Sequence, residues 1–289
     1  MSNITSQLIR VGHSPDADDA FMFYALAQKK IPMRGFEVQH VIQDIESLNQ
    51  RALCGDLEVT AVSCHAYAFL ADRYSVMRSG ASVGDNYGPI LVAKANDNAR
   101  QSGARIKIAV PGRLTTAYLV LQLYASTVGN CNLSGFKPVF MSFDRILDTV
   151  KRGKVDLGLL IHEGQITYAD YGLKKVLDLG VWWHEKTGLP LPLGVDIIRR
   201  DLGKDTMKSF AGLFKESIEY ALSHRREALK YALRFGRGIS EKLNDRFVGM
   251  YVNNHTVDIG RDGEAGFRRL MGEAYQHGIL SGKVKLEFI

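Results

Sequence analysis

An apolar run that ends in a histidine and a glutamate is the first candidate for chemistry in this sequence. The stretch Leu159-Leu-Ile-His-Glu163 is typical of a buried strand whose last residues are polar. Because histidine titrates near neutral pH, His162 is a candidate general base. The alternative is an imidazole that only bonds a backbone carbonyl at the strand end, and this stretch alone leaves both interpretations open.

Metal binding by histidine is tested by spacing. His162 and Glu163 begin like the zinc motif H-E-x-x-H, but Ile166 occupies the position of the second histidine. A site assembled from His13, His65 and His162 stays open, although histidine ligands usually come with carboxylates or cysteines at close spacing. The histidine spacing therefore does not favour a metal site.

An acidic stretch that begins at Asp16 resembles the start of a calcium-binding loop. The sixth position of such a loop requires glycine and the twelfth a glutamate, but Phe21 and Ala27 stand there. The carboxylates of Asp18 and Asp19 instead suit the first turn of a helix, where negative charge complements the helix dipole.

Polar residues follow four of the predicted strands. Ligands of open α/β sheets lie beyond the carboxyl ends of the strands, where helix N-termini offer N–H groups. Ser14, which precedes a proline, is a predicted N-cap, and Ser63, Thr115 and Thr116 are also capping residues by type. For each of them a structural cap and a ligand contact are both open. The four strand ends are His13 to Asp16, Val62 to His65, Pro111 to Thr116 and Ile161 to Glu163.

The turn from Pro111 to Thr116 is the best candidate for holding an anion. It combines a glycine, the cation of Arg113 and the hydroxyls of Thr115 and Thr116 at one predicted helix start. This set suits a carboxylate or a phosphate. It lacks the lysine of the G-x-x-x-x-G-K-[ST] loop, so nucleoside triphosphate binding is not expected.

Short β-rich runs alternate with helix-period segments in two successive series, which predicts an α/β fold with two lobes. Each lobe is expected to hold a mostly parallel sheet flanked by helices, and the two to face a central cleft across a hinge. The larger lobe is predicted to contain residues 1–91 and 196–289, and the smaller lobe residues 92–195. The helical tail after residue 203 is expected to pack on the larger lobe.

The two series share a local pattern. Phe36 precedes Asp44 by the same eight residues that separate Phe136 from Asp144, and each aspartate is predicted to start a helix. A glycine follows each of these helices, Gly55 in the first, and is expected to end the helix in a left-handed backbone conformation. The repetition favours two related α/β halves.

Composition is that of an ordinary globular protein, with 289 residues, 46% hydrophobic and 24% charged. The net charge of +6 favours anionic small molecules, but no basic run is dense enough to predict nucleic-acid or membrane binding. Cys54, Cys64 and Cys131 form no C-x-x-C pair, which favours a reducing compartment. Without an apolar segment of signal or membrane length, a cytoplasmic location is expected.

Several motifs along nearly the whole chain together form one recognisable set. They are the segments His13 to Tyr24, Asp44 to Asn49, Val110 to Tyr118, Phe143 to Leu147, Gly158 to Glu163 with Thr167 and Tyr168, and Trp182 to Gly194. In order and spacing these segments resemble the 1,4-dihydroxy-6-naphthoate synthases, enzymes of the futalosine route to menaquinone.

The resemblance implies a two-lobed fold like that of type 2 periplasmic binding proteins. It also implies a cofactor-free lyase that splits cyclic dehypoxanthine futalosine into 1,4-dihydroxy-6-naphthoate and a three-carbon sugar fragment. His162 would be the base. Substrate contacts are expected from these residues: Ala61, Val62, Ser63, Thr115, Thr116, Ser14 and Asp19. Where some members read Ser-Pro-Cys-Pro-Asn-Asp-Thr, this chain reads Ser-Pro-Asp-Ala-Asp-Asp-Ala, which leaves the role of Asp18 open.

Alternative functions share the expected fold. One is a non-catalytic solute-binding protein for a small carboxylate, which would normally need an export signal. Another is chorismate dehydratase of the same pathway, which lacks the Ile-His-Glu arrangement. A serine hydrolase built on Ser63 and His162 has no G-x-S-x-G motif. Trp182, Trp183 and Tyr168 are candidates for stacking on a bicyclic ligand, or else for the core.

Overall fold

The structure, a computed structural model, describes residues 6–95, 105–128, 133, 135–235 and 240–289. Contacts divide the chain into two units. The first contains Met1–Val83, Pro192–Ala265 and Val284–Ile289, and the second contains Gly84–Leu191 and Gly266–Lys283. The division falls at residues 83 and 191, whereas the predicted lobe limits lie at residues 91 and 195. It also groups residues 266–283 with the second unit.

The secondary structure consists of eleven named strands among the described residues, together with α-helices and short 3-10 turns. The strands are β1 (Gln7–His13), β2 (Phe36–Ile42), β3 (Val59–Ser63), β4 (Tyr74–Val76), β5 (Ser82–Gly84), β6 (Ile90–Lys94), β7 (Lys107–Val110), β8 (Lys137–Phe140), β9 (Leu157–Leu160), β10 (Leu173–Asp178) and β11 (Leu191–Arg199). The helices are α1 (Ala17–Met22), α2 (Tyr24–Ala27), α3 (Ile45–Cys54), α4 (Cys64–Tyr67), α5 (Thr116–Thr127), α6 (Ile146–Lys151), α7 (Gly164–Thr167), α8 (Leu179–Thr187), α9 (Lys204–Ser223), α10 (Arg225–Ala232), α11 (Glu241–Tyr251), α12 (Asn254–Val257) and α13 (Gly260–Gln276). The 3-10 turns are Phe143–Arg145, Tyr168–Tyr171, Arg200–Leu202 and Leu233–Phe235. None of the described helices combines the length and the apolar composition that crossing a bilayer requires.

Each unit holds one sheet, which confirms the predicted α/β class. The first sheet has the order β2-β1-β3-β11-β4, with β5 paired to β11. The second has the order β10-β6-β9-β7-β8. In both, three strands run parallel, since β1 pairs in parallel with β2 and β3, and β7 with β8 and β9.

The prediction of mostly parallel sheets is correct only for these three-strand parts. Strand β11 runs antiparallel to β3 and β4, and β6 runs antiparallel to β9 and β10, so both sheets are mixed. Parallel neighbours are normally joined by a crossover within one sheet. Strands β6 and β11 each follow, along the chain, an element of the other unit, so this crossover constraint does not apply to them.

The predicted repeat is only partly reproduced. Asp44 caps α3, its side chain accepting from the N–H groups of Glu46 and Ser47, and Gly55 ends the helix with a left-handed φ of 74°. Asp144 instead lies inside a 3-10 turn and accepts a hydrogen bond from the hydroxyl of Ser142. The prediction that Asp144 starts the helix is therefore wrong, because its side chain is engaged by the preceding serine.

Candidate active site

Three loops meet at one edge of the second sheet. Strand β7 lies between β8 and β9 and runs parallel to both, so the carboxyl ends of all three strands point to the same edge. Thr115 and Thr116 follow β7, Phe143 follows β8 and His162 follows β9. The second unit therefore brings the predicted base and the predicted anion-binding turn to the position where α/β sheets bind ligands.

Thr115 is a structural cap. Its hydroxyl donates to the carbonyl of Gly112 at 3.0 Å and accepts from the N–H of Tyr118 at 3.3 Å. Thr116 is the first residue of α5 and is buried, with 2% of its surface exposed. The first turn of this twelve-residue helix directs N–H groups and the positive end of its dipole toward the sheet edge. An anion would be held mainly by the helix start, because the Thr115 hydroxyl already makes two bonds.

Arg113 supplies the cation predicted for this turn. The side chain is exposed, and its guanidinium carbon lies 4.2 Å from the centre of the Phe140 ring. A guanidinium stacked on an aromatic face keeps its charge and its N–H donors. The cation is thus held close to the carboxyl end of β8.

His162 has an uncommon backbone conformation. Its φ of 55° lies in the left-handed region, and its carbonyl accepts from the N–H of Gln165 at 3.1 Å. The residue is half-buried and its Nε2 atom is shielded from solvent. The Phe143 ring packs edge-on against the imidazole, with 4.7 Å between the ring centres and 62° between the planes. Left-handed non-glycine residues carry strain that often coincides with functional positions.

Ser14 does not cap α1, contrary to the sequence prediction. Its hydroxyl donates to a carboxylate oxygen of Asp16 at 2.8 Å, and its N–H donates to Asp19 at 2.6 Å. The helix begins after Asp16, so proline is not its first residue. The serine is buried, and its two bonds hold the loop after β1 in a tight turn.

Three predicted contacts lie on one strand of the first unit. Ala61, Val62 and Ser63 end β3 and are all buried. Asn49 of α3, to which the sequence analysis gave no role, accepts the Ser63 N–H at 2.9 Å and donates its amide to the Ser63 hydroxyl at 3.3 Å. The only signal in the sequence was an asparagine on the buried face of an amphipathic helix. Ser14, Asp19 and Ala61 to Ser63 thus belong to the first unit, and Thr115, Thr116 and His162 to the second.

A pair of histidines occupies the end of β1. Nδ1 of His13 lies 3.0 Å from the Ser14 carbonyl, which can only accept, so this nitrogen carries the proton. Nε2 of His13 must then accept from Nδ1 of His40, 3.1 Å away. Burial, together with the neighbouring His40, lowers the pKa of His13 to about 4. Both rings are therefore neutral at pH 7, since burial also lowers the pKa of His40.

Asp196 is a buried carboxyl group that the sequence analysis missed. It lies on β11 and exposes 1% of its surface. Burial, and after it the charges of Asp19 and Asp18, raise its pKa well above the usual value. Its only signal in the sequence was an acidic residue inside the apolar run Gly194-Val-Asp-Ile-Ile198.

Packing decides the role of one of the tryptophans that were candidates for stacking. Trp183 is fully buried and its ring N–H donates to the carbonyl of Pro190 at 3.1 Å, so it belongs to the core and not to a stacking surface. Within the described part of the chain, no three His, Cys, Asp or Glu side chains are arranged to hold a metal ion. Cys54 is an exposed thiol, Cys64 is buried, and Cys131 lies outside the described residues.

Comparison with known proteins decides the family. The model of the menaquinone biosynthesis family matches residues 9–276. The chain belongs to this family. The 1,4-dihydroxy-6-naphthoate synthase of Thermus thermophilus is 40% identical over 283 residues, which cover 98% of this chain and 100% of that protein.

Solved structures share the fold of this chain. A crystal structure of a protein from Archaeoglobus fulgidus has a TM-score of 0.87 and 47% identity, and covers 97% of this chain and 100% of its own. The alkanesulfonate-binding protein of Xanthomonas axonopodis has a TM-score of 0.69 at 12% identity, and covers 96% of this chain and 95% of its own. The second likeness shows the fold alone, that of periplasmic binding proteins, as expected.

Proposed function

We propose that the protein is a carbon-carbon lyase of menaquinone biosynthesis. It converts cyclic dehypoxanthine futalosine, an intermediate of the futalosine pathway, to 1,4-dihydroxy-6-naphthoate and releases a three-carbon sugar fragment. The observation that carries this proposal is the position of His162 at the same sheet edge as the start of α5, in a chain 40% identical to a named synthase.

His162 is proposed as the general base. An imidazole at the end of β9 removes an acidic proton from the bound substrate, and the electron pair released forms the new double bond. The carbon-carbon bond to the sugar fragment breaks with its electron pair leaving on the fragment, which then takes up the proton held by the imidazole. The reaction ends in an aromatic ring, which supplies the driving force without a redox cofactor. The Phe143 ring, 4.7 Å from the imidazole, restricts the orientation of the base.

The start of α5 is proposed to hold the carboxylate of the substrate. Thr115 keeps the helix start in shape through its bonds to Gly112 and Tyr118, and Thr116 begins the helix beside β7. Ser14, Asp19 and the end of β3 from Ala61 to Ser63 are proposed as further substrate contacts. The exposed thiol of Cys54 suits a reducing compartment, so we propose that the enzyme works in the cytoplasm.

The deciding experiment is incubation of the full chain with cyclic dehypoxanthine futalosine in a chelating buffer, with mass detection of the products. We expect naphthoate and the sugar fragment in equal amounts. Binding of the substrate without any product would instead support a solute-binding protein. Conversion of chorismate in a parallel incubation, with no naphthoate formed, would support the dehydratase.

A further inference from the structure

The carboxyl group of Asp196 is buried without a donor. Both side-chain oxygens are shielded from solvent and have no hydrogen-bond partner among the described residues, and the residue exposes 1% of its surface. Its backbone carbonyl accepts from the N–H of Met77 at 2.9 Å. Buried polar groups are nearly always hydrogen-bonded, so two such oxygens indicate a donor that is not part of the protein.

The surroundings of this carboxyl group are acidic and closely packed. Asp18 and Asp19 expose only 8% and 7% of their surface, and both act on Asp196 through their charge. A Cβ atom added at Gly80, whose φ is 91°, would lie 2.2 Å from Oδ2 of Asp196. The Asp196 carboxyl group can therefore occupy this position only because residue 80 is a glycine.

The position of Asp196 in the sheet connects it to the predicted contacts. Asp196 of β11 pairs with Ala61 of β3 in the antiparallel register, and residues that lie opposite each other project to the same face. Asp19, which accepts the Ser14 N–H, is the neighbouring carboxylate. The unpartnered carboxyl group thus belongs to the same face of the first unit as two of the predicted contacts.

The chemistry of the cluster selects the ligand. Three carboxyl groups repel anions, and their arrangement is not one that could hold a metal ion. Burial favours the protonated form of Asp196, which both donates and accepts, while a carboxylate such as Asp19 accepts only. A neutral hydroxyl group satisfies both kinds of partner, because it can accept from one and donate to the other.

We propose that Asp196, Asp18 and Asp19 line a hydroxyl-binding subsite of the first unit. Water fills it in the free protein, and a hydroxyl group of the sugar fragment fills it when substrate is bound. The binding of water is independent of the reaction, whereas the binding of the sugar hydroxyl rests on the proposed function.

A crystal structure of the free full chain tests whether water occupies the subsite. We expect an ordered water molecule within hydrogen-bond distance of an Asp196 carboxyl oxygen. Carboxyl oxygens that contact only carbon atoms, in density good enough to show buried water elsewhere, would overturn the subsite. This result does not depend on whether the protein is a lyase.

Calorimetric titration tests whether a hydroxyl group of the sugar fragment occupies the subsite, with the inactive variant His162→Asn as the background. Adding Asp196→Ala should weaken binding of cyclic dehypoxanthine futalosine about tenfold, the loss of one hydrogen bond. Binding of 1,4-dihydroxy-6-naphthoate, which lacks the sugar fragment, should change by less than about twofold. Asp196→Asn should retain substrate binding within about threefold, because an amide still donates and accepts.

Ser217→Ala is the matched control. Ser217 is also fully buried in the first unit, but its hydroxyl bonds the carbonyl of Met22, so its loss should leave the ratio of the two affinities unchanged. If Asp196→Ala weakened the binding of substrate and product equally, or weakened neither, the sugar hydroxyl would not bind at this subsite. If neither wild type nor His162→Asn binds the substrate and wild type forms no product, the proposed function is wrong, and so is the binding of a sugar hydroxyl at the subsite. The crystal structure then decides by itself whether the subsite binds water.

Discussion

The Phe143 ring packs against the His162 imidazole at 4.7 Å, and this contact joins two strand ends that lie on either side of β7. Phe143 belongs to a 3-10 turn after β8 and also packs on the buried cluster around Ile90 and Leu160. A ring anchored in the core holds the imidazole more firmly than a surface contact would. Phe143 is therefore a positioning residue for the proposed base.

Phe143→Leu should lower kcat up to about tenfold and change KM by less than about twofold. The reason is that an aromatic pair contributes about 1 kcal/mol beyond simple burial, and this contact orients the base more than it binds substrate. Phe143→Tyr, which keeps the ring, should restore most of the turnover. Steady-state kinetics of the two variants provide the measurement, and equal losses in both would argue against orientation by the ring.

His162→Asn should abolish turnover while leaving the fold and ligand binding nearly intact. Asparagine is chosen because it tolerates the left-handed φ of 55° at this position better than alanine. Product formation and calorimetric binding of the substrate measure the two effects separately. Loss of binding with turnover per bound substrate preserved would contradict the role of His162 as base.

Thr115 and Thr116 should respond differently to replacement by valine. Thr115→Val removes the cap of α5 and should cost about 1 kcal/mol of unfolding free energy, with Thr115→Ser as the conservative control. Thr116→Val should raise KM more than it lowers kcat, since it alters the helix start without removing the cap bond. Urea unfolding and steady-state kinetics make the distinction. Wild-type KM in Thr116→Val would remove Thr116 from the proposed anion site.

The acid stability of the protein should depend on His13. Its folded pKa is about 4 against an ordinary value of 6.5, so the unfolded chain takes up the proton first. Stability is therefore complete above pH 6.5 and is lost as the pH falls toward 4, by about 3 kcal/mol at about 1.4 kcal/mol per unit. His13→Asn should gain stability relative to wild type over this range in urea unfolding. The exposed His224→Asn is the control, and an identical gain there would contradict the assignment.

Asp196 should destabilise the protein at neutral pH. Its raised pKa means that the folded chain keeps a proton that the unfolded chain releases above about pH 4, so stability falls as the pH rises. Asp196→Asn should therefore gain stability over wild type between pH 4 and 7, by about 1.4 kcal/mol for each unit of the raised pKa. Asp258→Asn is a control for which the opposite effect on stability is expected. A hydrogen bond from Arg78 lowers the Asp258 pKa, so this variant should lose more stability at pH 7 than at pH 4.

Local features were predictable because neighbouring residues decide them. Asp44 and Gly55 begin and end α3 as expected. The edge where His162 and Thr115 meet was also predictable, since parallel strands place their carboxyl ends together. Ser14 was misjudged because its hydroxyl has two competing partners, a helix N–H and the Asp16 carboxylate, and only the folded loop selects between them.

The sequence by itself determined the two α/β series, the strand ends that carry polar residues and, through its motifs, the family. Only the tertiary structure decided which polar side chains are buried together. The partners of His13 and Ser63 are His40, 27 residues away, and Asn49, 14 residues away. Asp196 reaches Asp18 and Asp19 only because β11 is paired with β3. Such contacts depend on strand order, which periodicity in one segment does not specify, and burial then changes the chemistry of each group.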